Sequence, residues 1–100
     1  MCKNGVFALL YFMANMNPLT SEQELRKIGL RLKNLRKSKG YTSPDKFSYE
    51  NNLNRSQYGK YEAGNANITI GTLITILNCF SVSLSEFFNE EYDNTQQIKK

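Results

Sequence analysis

The run Tyr41-Thr42-Ser43-Pro44-Asp45-Lys46-Phe47-Ser48-Tyr49-Glu50-Asn51-Asn52-Leu53-Asn54-Arg55-Ser56-Gln57-Tyr58-Gly59-Lys60-Tyr61-Glu62-Ala63-Gly64 decides the fold. It reads as two short helices joined by a tight turn. Ser43 is placed to cap the first, with Pro44 at its first position and Asp45 just inside. Asn54 caps the second, which runs to about Ala63 and stops at Gly64. Phe47, Leu53, Tyr58 and Tyr61 are spaced to face one small core, and Ser48 is small enough for two helices to cross closely. Asn52 tolerates the left-handed conformation that a sharp inter-helix turn requires. The polar residues left over on the second helix, Arg55, Ser56, Gln57 and Lys60, are types that read base edges or phosphates. The pattern is a helix-turn-helix, and it points to DNA.

Upstream, Pro18 precedes a long helix capped by Thr20 or Ser21, with Thr20/Gln23 and Ser21/Glu24 both at capping-box spacing. Leu25, Ile28, Leu32 and Leu35 form its apolar stripe. Glu22 and Glu24 fall in its first turn and Arg36, Lys37 and Lys39 at its end, as the helix dipole favours; Gly40 is placed to terminate it. Downstream, Asn65-Ala66-Asn67 is a polar loop. A fourth helix follows over about Ile70 to Phe80, capped by Thr69, with Leu73, Ile76, Leu77 and Phe80 facing inward. Ser83 and Glu86 make another capping box, and Val82 with Phe87 a hydrophobic staple, for a last helix over about Leu84 to Glu91 anchored by Phe87, Phe88 and Tyr92. The expectation is all-α: one five-helix domain over residues 20–92, a flexible polar tail over 93–100, and an apolar extension over 1–19 with room for an extra helix. Within that extension, Val6 to Ala14 is too short to span a bilayer. It reads as a helix packed on the domain or on a second subunit, as a weak signal peptide, or as an upstream extension ahead of Met16.

One hundred residues suffice for one domain with a modest core. The chain has no His, and its two cysteines, Cys2 and Cys79, form no CxxC pair. Cys79, in an apolar run, reads as a buried free thiol in a reducing, cytoplasmic setting. Without His, paired carboxylates, a glycine-rich phosphate loop or CxxC, neither enzymatic activity nor a metal or other cofactor is expected. The net charge of +4 conceals an asymmetry: Thr20 to Lys60 holds ten basic and four acidic residues, Tyr61 to Ile98 five acidic and no basic ones. One basic and one acidic face are implied.

The segment from Ile28 to Tyr92 resembles the lambda-repressor-like family (Xre, phage Cro and repressor type) of DNA-binding domains. The resemblance rests on Leu32-Lys33-Asn34-Leu35-Arg36-Lys37-Ser38-Lys39-Gly40-Tyr41-Thr42, Tyr58-Gly59-Lys60-Tyr61-Glu62-Ala63-Gly64, Leu73-Ile74-Thr75-Ile76-Leu77 and Val82-Ser83-Leu84-Ser85-Glu86-Phe87-Phe88, in that order. It implies that the third helix, 54–63, enters the major groove. Arg55, Ser56 and Lys60 then match base-contacting positions, with Gln57 beside them. Thr42, Ser43, Asn54, Asn65 and Asn67 match phosphate contacts, and Lys37 and Lys39 are added from the end of the first helix. Arg36 and Glu62 match a structural pair bracing the first helix on the third. The family's usual Gln at the start of the second helix is Ser43 here, one extra residue lies between Thr42 and Phe47, and the usual turn glycine is Asn52. Gly59 costs the recognition helix roughly 1 kcal/mol of propensity against Ala, and fits a close approach to a backbone or to a neighbouring helix.

Arg55 lies where the helix dipole disfavours a cation, which a purely structural role explains poorly and hydrogen bonding to guanine explains well. Tyr58 and Tyr61 read as core residues with hydroxyls near the surface. The expected function is sequence-specific binding of double-stranded DNA by a transcriptional regulator, most simply a homodimeric repressor on a pseudo-palindromic operator, with Phe87, Phe88 and Tyr92 at the dimer interface. An antitoxin or a protein-interaction module with a protein partner is the alternative on the same fold; no membrane association is expected.

Overall fold

The computed structural model describes residues 18–95, which form five α-helices and no strand: α1 (Ser21–Ser38), α2 (Pro44–Glu50), α3 (Arg55–Ala63), α4 (Ile70–Phe80) and α5 (Leu84–Phe87), followed by a 3₁₀ turn (Tyr92–Asn94). The apolar extension up to Asn17 and the last five residues lie outside the described part. No helix among the described residues is long and apolar enough to cross a membrane.

Each helix begins on a hydroxyl or amide that accepts from a first-turn N–H. Thr20, rather than Ser21, caps α1, accepting from Gln23; Ser43, Asn54, Thr69 and Ser83 cap the others. These contacts satisfy donors that a helix start would otherwise leave unpaired. At Ser83 the capping box is complete: its N–H donates to the Glu86 carboxylate at 2.8 Å and its Oγ accepts from the Glu86 N–H at 3.1 Å. The Ser83 bonds hold the Glu86 pKa below the ordinary value.

The core gathers Leu32 of α1, Phe47 of α2, Tyr58 of α3, Leu73, Ile76, Leu77 and Phe80 of α4, and Phe87 of α5. Phe47 is its centre, stacked on Phe80 with ring centroids 4.6 Å apart and packed on Tyr58 and Tyr41 at 5.0 Å. Burying such a side chain stabilises the fold by about 1.5–3 kcal/mol, so one apolar residue decides which side of the seven-residue α2 faces inward. Ser48 is fully buried and its Oγ donates to the Pro44 carbonyl.

Five expectations need correction. Phe87 is 1% exposed and committed to the protein's own core, so it is not a dimer-interface residue. Tyr92 is also turned inward: its hydroxyl donates to Glu24 Oε1 at 3.0 Å, and Lys27 lies over its ring. The last helix ends at Phe87 rather than Glu91. Asn89 takes the Glu91 N–H on its own side chain, offering the backbone a local alternative to continued helix. Asp93 to Thr95, expected as the start of a loose tail, is fastened to α1 through Lys27–Asp93 at 2.7 Å and Arg31–Thr95 at 3.4 Å. Cys79 is half-buried rather than buried, and desolvation raises its thiol pKa.

Candidate nucleic-acid interface

The geometry of α3 is fixed at both ends and along one side. The turn before it closes through the Leu53 N–H donating to the Ser48 carbonyl at 2.9 Å, with Asn52 left-handed at φ 58°. Asn54 Oδ1 accepts from the Gln57 N–H at 2.8 Å, and Gly64 ends the helix at φ 75°. Tyr58 and Glu62, one turn apart, are the buried positions.

Glu62 is held by α1. Arg36 donates through Nε to Glu62 Oε2 at 2.7 Å and through Nη2 to Oε1 at 3.1 Å, a bidentate fork, while Nη1 donates to the Tyr41 carbonyl at 2.9 Å. Arg36 is 2% and Glu62 9% exposed. One guanidinium thus ties together the end of α1, the link to α2 and the last turn of α3. The Tyr58 hydroxyl is buried next to this pair, not near the surface as expected. It has no hydrogen-bond partner among the described residues, and burial together with the Glu62 charge raises its pKa.

Gly29, not Gly59, is the close-approach glycine between helices. A Cβ at Gly29 would stand 2.4 Å from the Glu62 carbonyl oxygen and 2.6 Å from that of Tyr61, whereas a Cβ at Gly59 would meet nothing within 4 Å. The one signal in the sequence is its place on the same stripe of α1 as Leu25, Leu32 and Arg36; the helix it meets is not visible from its neighbours.

With Tyr58 and Glu62 inward, Ser56 and Lys60 fall on the opposite side of α3, and Arg55 and Gln57 lie exposed in its first turn. None of these four side chains is hydrogen-bonded or ion-paired among the described residues. Asn65 and Asn67 are exposed in the loop following α3, beside a cleft of about 390 Å³ shared with Arg26 of α1. Thr42 is exposed before α2. Ser43 accepts from the Lys46 N–H, which leaves its O–H free to donate; Asn54 likewise keeps its Nδ2 hydrogens. Lys37 is half-buried on α1; Lys39 is exposed at its end, close enough to Glu86 for its charge to help lower that carboxyl's pKa.

This arrangement, a short helix laid across its predecessor through a left-handed turn and offering polar side chains outward, is the one that a helix-turn-helix model matches over residues 32–87. The chain belongs to the lambda-repressor-like helix-turn-helix family. No curated protein and no solved structure matches it. The helix-turn-helix segment begins within α1 and ends with α5, so it contains every residue expected to meet DNA. The protein is a DNA-binding helix-turn-helix protein of regulator type.

Proposed function

We propose that the protein is a sequence-specific transcriptional repressor that binds a pseudo-palindromic operator as a homodimer. The observation that carries this reading is the outer side of α3, where Arg55, Ser56, Gln57 and Lys60 have no partner among the described residues, on a helix locked from behind by Arg36, Glu62 and Gly29. In this reading α3 enters the major groove, with Arg55 donating both ends of its guanidinium to a guanine and Ser56, Gln57 and Lys60 reaching neighbouring base edges. Thr42, Ser43 and Asn54 at the helix starts, Asn65 and Asn67 in the following loop, and Lys37 and Lys39 hold phosphates and fix the register. Asn54 and Ser43 serve twice, capping a helix with oxygen and donating outward with N–H or O–H.

One reading head buries too little surface for tight specific binding. The surface favoured for pairing is the apolar stripe of Ile74, Leu84 and Phe88, exposed by 39%, 36% and 40%, with Leu84 and Phe88 one turn apart. Phe88→Glu is expected to shift the sedimentation behaviour to monomer and to weaken operator binding at low protein concentration. A wild-type chain that stays monomeric on its operator would remove the dimer.

The test of the function is selection of duplexes from a random pool, followed by titration of the enriched sequence at several salt concentrations. Two half-sites about 10 base pairs apart are expected. Arg55→Ala should relax one base preference and cost about 1–3 kcal/mol of binding, with thermal unfolding unchanged. Uniform binding of all duplexes at low salt only would overturn the sequence-specific reading.

A further inference from the structure

A glycine in the middle of a nine-residue helix lowers its propensity, yet Gly59 has no structural neighbour that requires it. What lies beside it is a cleft of about 280 Å³ lined by Lys33 and Arg36 of α1, Pro44 at the start of α2, and Gly59, Glu62 and Ala63 of α3. Arg36 and Glu62 neutralise each other in their fork, so the charge of the cleft is that of Lys33. Lys33 is half-buried and has no ion-pair or hydrogen-bond partner among the described residues. Gly59 and Ala63, one turn apart, leave this flank of α3 almost without side chains. The cleft is bounded on α3 by Gly59, which precedes Lys60, and at the start of α2 by Pro44, which follows Ser43. It therefore lies between two places proposed above to meet DNA.

We propose that this cleft receives a backbone phosphate of the bound duplex, with Lys33 as its counter-charge and Gly59 as the bare patch that lets the sugar-phosphate chain lie against α3. The proposal rests on the DNA-binding reading given above and adds to it a residue of α1 and a reason for the glycine. A phosphate here would fix the depth at which α3 enters the groove, which a contact at a helix tip alone does not. Because the phosphate carries no sequence information, the site adds affinity and register evenly across sequences.

The experiment uses the full chain and a duplex carrying its selected sequence, titrated between about 50 and 200 mM salt, the range over which phosphate contacts separate variants. Lys33→Gln should keep the wild-type base preferences and lower the salt slope by about 0.9 for each bound protomer. Gly59→Ala should raise the midpoint of thermal unfolding by about 2–6 °C and yet weaken binding about tenfold, since the added methyl meets the duplex and nothing in the protein. A wild-type slope for Lys33→Gln, or wild-type affinity for the more stable Gly59→Ala, overturns the proposal. If the wild-type chain itself binds no duplex, the reading of the function falls and takes this site with it.

Discussion

Arg36→Ala is expected to destabilise the fold by about 3–5 kcal/mol, because it leaves a buried carboxylate without its partner. Glu62 is 9% exposed and both its oxygens are engaged by the guanidinium, so truncation removes the partner of both at once. The Tyr41 carbonyl loses its donor as well. Glu62→Ala should cost a similar amount, since it strands a guanidinium that is 2% exposed. The double variant Arg36→Met/Glu62→Leu should be far milder than the sum, because no charge is left buried and the volume is retained. Urea unfolding of wild type, Arg36→Met, Glu62→Leu and their double variant reads the coupling directly, and a value below about 0.3 kcal/mol would remove the brace. Operator affinity should follow stability in this series. In Arg55→Ala the two should separate, which distinguishes residues that hold α3 from residues that read with it.

The dependence on this brace follows from how little else fixes α3. A nine-residue helix is marginal alone, and its own sequence offers only Tyr58 as a fully buried apolar anchor. The phenol adds little polar stabilisation, since its hydroxyl is unpaired. Beyond the turn and caps at its ends and the partly buried Tyr61, orientation of the candidate reading head rests on one aromatic ring, one ion pair and one glycine crossing.

Those three were unequally legible in the sequence. The caps at Ser43, Asn54, Thr69 and Ser83 and the left-handed Asn52 and Gly64 depend on contacts within a few residues, and each was readable from its own neighbourhood. Ser81 also adopts a left-handed conformation, at φ 60°, to end α4, and nothing in its neighbours announces it. The fate of α5 was not local. Phe87, Phe88 and Tyr92 look alike as a string, but α1 decides between them: Arg31 covers Phe87 and Glu24 takes the Tyr92 hydroxyl, which leaves Phe88 outside. The two glycines carry the same lesson. Propensity marks Gly59 as the anomaly because it stands in the motif, whereas Gly29 acts only through a helix that arrives some thirty residues later.

Gly29→Ala is accordingly expected to destabilise the protein by about 2–3 kcal/mol, against an intrinsic helix preference that favours alanine by about 1 kcal/mol. The atoms in the way are the carbonyl oxygens of Tyr61 and Glu62, at 2.6 and 2.4 Å from the new Cβ. They belong to backbone, so no rotamer change relieves the contact; α3 must move as a body. The Tyr61 carbonyl also accepts the Gly64 N–H that closes the helix, and displacing it loosens the start of the Asn65–Asn67 loop. The Arg36–Glu62 fork lies at the same crossing and must lengthen as α3 retreats. Denaturant unfolding should show the loss, and operator affinity should fall even where the variant is fully folded, because Arg55 and Lys60 are carried off with the helix. Equal or greater stability than wild type would mean that α1 and α3 do not cross at this distance. The same substitution at Gly59 is expected to have the opposite sign for stability, since there the methyl enters open space.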